Sequence, residues 1–368
     1  MDGNGVIVLT FLVYGAIVVI GPLLMYFSLS LRDLVLSRFG IVGVSALLSI
    51  PLMLRGFTGT DSLQYYTLYQ YGSYLWEREN SIERGYSFLM DASHAMRLSA
   101  YGFFFVIAFL TICMFMITLN TVKGCINIYA SCFYFITCFY FNMFNISRQM
   151  LAVSFVIFGL VLLSKDNIIP SIICFAVGSL MHVSAVIAFL SIAIYYLLKK
   201  CNNKVVVSVT LLIILVFIFN RRLLADLAGM LFNTVYYSGY FAAETVTTRR
   251  IISKMIINAP LILLLLLNLK RKRDVRFLSL VALVGIFLTT MGDATGRIGL
   301  NFSAVGIVAY GMALQEDVVF NAGRSSIRKE PLTVLFLLYC FAIFMMNTVF
   351  GHYGEVIPYM PFFPPQPA

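Results

Sequence analysis

Long apolar runs separated by short polar segments make up most of the chain. A helix needs ~20 mainly apolar residues to cross a bilayer, and several runs are shorter, which predicts broken, kinked or re-entrant helices sheltered by their neighbours. We divide the run at 168–198 between Met181 and His182, because an even number of spans gives a better charge balance. The pattern then predicts twelve spans, at residues 6–29, 39–54, 101–119, 124–142, 149–163, 168–182, 183–198, 205–219, 251–269, 275–291, 296–314 and 332–350.

The composition supports this interpretation. Of the 368 residues, 61% are hydrophobic and only 11% are charged, whereas about 25% of the residues in a soluble domain are charged. The sequence therefore predicts an all-α polytopic integral membrane protein with about twelve transmembrane helices. The net charge of +10 comes from Lys and Arg in short segments between apolar runs. That placement indicates contact with membrane lipids rather than with nucleic acid.

The residues that usually bind metal ions form no recognisable pattern. The seven cysteines lie mostly inside apolar runs and lack CxxC spacing. The three histidines, His94, His182 and His352, form no HxxxH motif. We therefore expect neither a metal site nor another cofactor.

The distribution of Lys and Arg predicts the orientation. Basic residues are densest in the loops that follow every second span, and above all in Lys270–Arg273, which the positive-inside rule places in the cytoplasm. Two long segments, at about 55–100 and 220–250, then face the outside. Residues 1–350 are predicted to form a single transmembrane domain, and residues 351–368 an outer C-terminal tail.

Charged and polar residues collect at the outer ends of the predicted spans. A charge at membrane depth costs about 2.5–3.5 kcal/mol, so such residues usually serve a function. Taken singly, an Arg here can snorkel to headgroups, a His can join two helices, and an Asp can cap a helix. Taken together, these residues predict a cationic cavity open to the outside. The members of this set are Arg55, Asp61, Arg148, His182, Asp293 and Arg297.

Aromatic residues accompany these charges in the two outer segments. Tyrosines at a membrane surface form an interfacial belt, and an amphipathic ring can also stack on a sugar. The second outer segment ends in the basic pair Arg249 and Arg250. The tyrosines that we predict to contact a glycan are Tyr65, Tyr66, Tyr86, Tyr240 and Tyr359.

Several short motifs, in a fixed order, resemble the EpsG family of Wzy-type polysaccharide polymerases. Each motif is degenerate, so their order along nearly the whole chain carries more weight than any one of them. The last residues, Pro364–Ala368, fit no motif. The matching strings are Arg55–Asp61, Tyr65 or Tyr66, Glu83–Tyr86, Ser147–Val153 with the Lys165 loop, Met181–Ala185, Arg297 with Phe302, and Pro358–Tyr359.

The resemblance implies an inner-membrane glycosyltransferase of GT-C-like architecture, with its active face toward the periplasm or exterior. It would transfer a growing O-antigen, capsule or exopolysaccharide chain from undecaprenyl diphosphate to the next lipid-linked repeat unit. A chain-length regulator and a flippase are the protein partners that it suggests. The carrier diphosphate would be bound by Arg55, Arg148, Arg297, Arg249 and Arg250.

The acceptor hydroxyl of such a reaction needs at most a general base, and three residues are candidates: His182, Asp61 and Glu83. Other functions fit the same residues. A flippase for lipid-linked sugars is one, although no internal repeat is visible of the kind that transporters often show. An acyltransferase, or a ligase that attaches finished glycan to another acceptor, is a second. A structural membrane scaffold is a third, which the buried charges disfavour.

Overall fold

The computed structural model describes residues 3–72, 82–202, 205–210, 212, 247–315, 318–320 and 325–362. The chain divides into two compact units. Unit 1 comprises Met1–Ser154 and Leu314–Ala368, and unit 2 comprises Phe155–Ala313. Each unit is described by itself below.

Apart from one short hairpin, the regular structure of the described residues is helical. Strands β1 (Val318–Phe320) and β2 (Ser325–Ile327) pair antiparallel. The α-helices are α1 Gly3–Ser30, α2 Leu34–Met53, α3 Ser62–Tyr71, α4 Arg84–Ala95, α5 Ala100–Val122, α6 Ile128–Cys138, α7 Ser147–Ser164, α8 Ile168–Met181, α9 Leu190–Lys200, α10 Thr248–Asn268, α11 Arg273–Met291, α12 Asp293–Ser303, α13 Gly306–Ala313 and α14 Lys329–Phe344.

The prediction of an all-α polytopic membrane protein is confirmed. Within the described part of the chain, eight helices are long and apolar enough to cross a membrane. Three of them include tighter or wider turns: one 3₁₀ segment follows α5, another precedes α9, and a π-helical segment follows α14. The count of twelve stays a prediction, since most of the predicted span 205–219 lies outside the described residues.

In unit 1, polar side chains cap the N-termini of helices, and apolar side chains make up the helix surfaces. Asp33 accepts a hydrogen bond from the amide of Leu36 at the start of α2, and Asn127 accepts one from the amide of Ala130 at the start of α6. α5 packs along α2, and α1 packs along α6. The outward surfaces of α1 and α2 carry exposed aromatic and aliphatic side chains, as expected for helices that meet lipid.

The C-terminal segment forms part of unit 1. The amide of Phe362 donates to the carbonyl of Leu54, and the amide of Gly56 donates to the carbonyl of Met360, each over 2.8 Å. The sequence placed this segment in an outer tail, and the structure describes it as far as residue 362. Residues 353–362 therefore lie against the connection that follows α2.

In unit 2, α8 ends at Met181, where we divided the apolar run. The predicted span 296–314 differs, because a turn at residues 304–305 separates α12 from α13. α12 packs very closely on α11: a Cβ added to Gly285 would lie 2.0 Å from the amide nitrogen of Ser303. Small residues allow such close helix contacts in membranes.

Candidate functional site

The centre of the candidate site in unit 1 is an ion pair between Arg148 and Glu83. Arg148 lies in the first turn of α7, and Glu83 directly precedes α4. Nη1 of Arg148 is 3.0 Å from Oε2 of Glu83, and both side chains are 16% exposed. Because the pair is largely shielded from water, its charges interact more strongly than those of a surface pair. Two residues that are 65 positions apart are thereby joined.

Two tyrosine rings enclose the guanidinium of Arg148. Its central carbon lies 5.8 Å from the ring centroid of Tyr65 and 5.6 Å from that of Tyr86. Such contacts add cation–π attraction to the ion pair. Tyr65 and Tyr86 are buried, and burial raises the pKa of Tyr86 well above its usual value, so this ring is a neutral phenol at physiological pH. We call Arg148, Glu83, Tyr65 and Tyr86 the arginine cluster.

Arg55 borders the arginine cluster but is directed at the protein backbone. Its side chain is buried, and Nη1 donates to the carbonyls of Met143 and Phe144 over 2.5 and 3.0 Å. Nη2 lies 3.4 Å from the hydroxyl oxygen of Ser147. Burial lowers the pKa of Arg55, although a guanidinium remains charged in proteins. Arg55 thus fixes the connection that leads into α7, which is a different role from the diphosphate contact predicted from the sequence.

Asp61 lies directly before α3 and remains partly accessible. Its side chain does not cap the helix, and it accepts a hydrogen bond from the hydroxyl of Thr60 over 2.9 Å. The cap that the sequence allowed is therefore not formed in this structure.

Asn145 joins the parts of unit 1 around this site, a role that the sequence did not indicate. Its Oδ1 accepts from the amide of Thr60 over 2.7 Å. Gly59 and Gly354 have φ angles of +89° and +71°, and a Cβ on either would lie within 2.5 Å of the Asn145 amide group. The signal available in the sequence was the position of Asn145 three residues before Arg148.

The remaining predicted tyrosines have other surroundings. Tyr359 is buried, and its hydroxyl donates to the carbonyl of Pro51 over 3.0 Å, so it anchors the C-terminal segment. Tyr66 is half-buried beside Tyr101, with ring centroids 6.4 Å apart. Tyr240 lies outside the described residues.

In unit 2, His182 occupies the break between α8 and the following 3₁₀ segment, Val183–Phe189. It is 8% exposed, and its Nδ1 accepts a hydrogen bond from the amide of Ser184 over 3.2 Å. The Ser184 hydroxyl lies 2.8 Å from the same nitrogen, and the side-chain amide of Asn301 in turn donates to this hydroxyl over 3.1 Å. The sequence analysis assigned no role to Ser184 or Asn301.

The other predicted arginines of unit 2 lie on two helices. Arg297 is half-buried on α12, one helical turn before Asn301. Arg249 and Arg250 are exposed in the first turn of α10. The structure thus brings Arg55, Glu83 and Arg148 together within unit 1, and the convergence of all the predicted residues on one cavity stays a prediction.

Metal-binding residues do not gather in the described segments, where no three His, Cys, Asp or Glu side chains are close enough to hold an ion. The expectation that the reaction needs no metal stays a prediction.

These features define an all-α polytopic membrane protein with shielded charges at a candidate site. The chain belongs to the EpsG family, whose model matches residues 39–360. The match includes every motif quoted above, from the Arg55 turn to Tyr359. No curated protein and no solved structure matches the chain. Family membership supports a polysaccharide-polymerase-type role that acts on lipid-linked oligosaccharides.

Proposed function

We propose that this protein polymerises polysaccharide at the bacterial inner membrane, with its active face toward the periplasm or exterior. It transfers the growing glycan from undecaprenyl diphosphate to the next lipid-linked repeat unit and needs no metal. The observation that carries the proposal is the shielded Arg148–Glu83 pair between two tyrosine rings in a chain of the EpsG family.

The chemistry requires stabilisation of a departing diphosphate. The acceptor hydroxyl oxygen forms a bond to the anomeric carbon, and the bond from that carbon to the diphosphate oxygen breaks. The electron pair of the broken bond leaves with the diphosphate, and the hydroxyl proton passes to a base. A planar guanidinium matches phosphate oxygens with two parallel hydrogen bonds. Because Glu83 and the two rings already orient Arg148, little reorganisation is needed when charge develops.

Of the three candidate bases, the geometry favours Asp61. Glu83 is held by Arg148. Nδ1 of His182 accepts from a backbone amide, so a neutral imidazole carries its proton on Nε2 and lacks a second acceptor. Among the described residues, Asp61 has one hydrogen bond, from a hydroxyl group, and it can accept another proton.

The sequence also suggests sources of further positive charge for the diphosphate, and these are Arg297, Arg249 and Arg250. The half-buried Tyr66 offers a ring and a hydroxyl to the glycan.

The test is the length of the glycan made by a deletion strain that carries plasmid copies of the gene. The wild-type copy should restore the polymer ladder. An Arg148→Ala copy at equal protein level should give single repeat units and no ladder. Arg84→Ala is the matched control, because Arg84 is exposed beside Glu83 and should leave the ladder intact.

The alternative functions predict other products. A flippase without its site would strand the repeat units inside the cell, so even the single-unit product would disappear. A ligase without its site would leave long polymer on the carrier. Either result would reject the proposed function, as would an unchanged ladder in the deletion strain.

A further inference from the structure

Helix α4 ends in a left-handed turn that carries an arginine. The amide of Arg97 donates to the carbonyl of His94 over 2.8 Å, and the amide of Leu98 donates to that of Ser93 over 3.0 Å. These two bonds form a Schellman motif, in which the residue after the helix cap has a positive φ angle and is usually glycine. Arg97 occupies this position with a φ of +56°, a conformation that disfavours any residue with a Cβ. Because glycine would suit the turn better, the Arg97 side chain is a candidate for a role other than stability.

A second exposed side chain, His94, lies one helical turn before Arg97. Its ring stacks on that of Tyr69, with centroids 4.1 Å apart and planes 10° apart. Tyr69 is buried, its hydroxyl donates to the carbonyl of Leu98 over 2.8 Å, and its ring also stacks on Phe103 at 4.7 Å. The imidazole of His94 is therefore an exposed flat ring on a fixed support.

The ring stack connects this surface to the arginine cluster. The rings of Phe103 and Tyr86 lie 5.5 Å apart, and Tyr86 is one of the two rings that enclose the guanidinium of Arg148. Three successive ring contacts thus lead from His94 to the arginine cluster, and all of these residues belong to unit 1. The separation suits an oligosaccharide of a few sugars rather than a single sugar.

Asp91 adds a carboxylate to the same surface. It is exposed and lies three residues before His94 on α4, so the two side chains are neighbours on the helix. A carboxylate accepts hydrogen bonds, whereas the guanidinium of Arg97 only donates them. Asp91 would repel the phosphate of a lipid headgroup. Sugar hydroxyl groups both donate and accept, so they match Asp91 and Arg97 together.

We propose that Asp91, His94 and Arg97 form a glycan subsite, which binds the lipid-linked oligosaccharide away from the reacting bond. The proposal rests on the proposed function for the identity of its ligand. The His94 ring stacks on the apolar face of one sugar. Asp91 accepts a hydrogen bond from a sugar hydroxyl, and Arg97 donates one. The subsite thereby holds the oligosaccharide while its diphosphate lies at the arginine cluster.

The imidazole signal of His94 can report binding directly. The chain has three histidines, so histidine-labelled full-length protein in detergent gives three imidazole signals, and His94→Gln identifies that of His94. The probe is a carrier-free oligosaccharide, released from the cell's own surface polysaccharide by partial acid hydrolysis. Its titration should shift the His94 signal to saturation. Arg97→Gly and Asp91→Asn should each raise the Kd by about 10-fold or more, as expected for one hydrogen bond to a charged group. Arg84→Gln is the control, because Arg84 is exposed in the first turn of the same helix and should leave the Kd unchanged.

Arg97→Gly also separates binding from structure. Glycine adopts a positive φ angle without steric cost, so the variant should unfold at a temperature no lower than that of the wild type. In elongation assays its KM for the lipid-linked unit should rise by about 10-fold while kcat changes little, because the subsite does not touch the reacting bond.

Different results would reject the subsite or the proposed function. A His94 signal that does not respond to the oligosaccharide, or an equal Kd for Arg97→Gly and wild type, would overturn the subsite. An Arg97→Gly protein that is less stable than wild type would make Arg97 structural. Loss of co-purified phosphatidylglycerol from Arg97→Gly, with an unchanged Kd, would assign the surface to lipid headgroups instead. If the wild-type protein binds the oligosaccharide at His94 but does not lengthen glycans, the subsite stands and the proposed function fails.

Discussion

At the scale of single residues, the arginines of unit 1 differ in what they contact. Arg55 gives its hydrogen bonds to backbone carbonyls, and Arg148 is paired with a carboxylate and two rings. A mobile substrate cannot easily replace a buried backbone carbonyl, because that carbonyl would lose its partner. Of the two, Arg148 is therefore the one suited to a diphosphate, and Arg55 supports its position.

Arg148→Lys should separate charge from shape. Lys keeps the positive charge but loses the planar fork and most of the contact with the rings of Tyr65 and Tyr86. We expect polymerisation to fall by about 10- to 100-fold, the factor for loss of one charged hydrogen bond. The measurement is the rate of glycan elongation by purified protein. Arg84→Lys, at the exposed neighbouring arginine, should retain the wild-type rate, and equal rates for both variants would rule out a fork at Arg148.

At the scale of elements, the close packing of the C-terminal segment on the 54–60 connection requires the absence of a side chain at Gly56. A Cβ added at Gly56 would lie 2.2 Å from the carbonyl oxygen of Phe362 and 2.8 Å from that of Met360, and backbone atoms cannot move aside cheaply. Gly56→Ala should therefore destabilise unit 1 by about 1–3 kcal/mol, the usual range for overpacking.

Thermal unfolding in detergent, followed by size-exclusion chromatography, measures this change. Gly43→Ala is the control, because nothing lies within 4 Å of the Cβ that it adds to α2. A Gly56→Ala protein as stable as the control would show that residues 353–362 are not held against the 54–60 connection.

A second element contact joins the loop between α7 and α8 to α9 and α11. The carboxylate of Asp166 accepts from the hydroxyl of Tyr195, from Nζ of Lys199 over 3.0 Å, and from the guanidinium of Arg273. The Tyr195 hydroxyl, followed by Lys199, holds the pKa of Asp166 well below its usual value. A lowered folded-state pKa stabilises the fold above the unfolded value, about 3.9, and this contribution is lost as the pH falls through the folded value.

Asp166→Asn should therefore lower the thermal stability of the protein by a constant amount between pH 5 and pH 8. The difference from wild type should shrink only below about pH 4. Unfolding temperatures over this range provide the measurement. Asp33→Asn serves as control, since Asn caps a helix as well as Asp does and should change little. A difference that already disappears at about pH 6 would contradict this account.

At the scale of the whole molecule, local signals predicted most of the helices, and distant contacts decided the site. Apolar runs indicate spanning helices because a backbone in lipid must satisfy its own hydrogen bonds. The turn between α12 and α13 was not predicted, because residues 304–305 lie inside the apolar run that was assigned to the span 296–314. The sequence analysis named both Glu83 and Arg148 as site residues. It did not predict their ion pair, because no local pattern pairs residues 65 positions apart. Asn301 was missed for the same reason, since it lies 117 positions from Ser184.

The orientation of the molecule remains to be tested by labelling. The density of Lys and Arg near Lys272 predicts a cytoplasmic loop, and the positive-inside rule then places the segment around Asn80 outside. In a background without the exposed Cys125 and Cys201, Asn80→Cys should react with an impermeant maleimide in cells whose outer membrane is permeabilised. Lys272→Cys should react only after the inner membrane is disrupted. The reverse pattern would put the arginine cluster on the cytoplasmic side, where a polymerase of exported glycans would not meet its substrate.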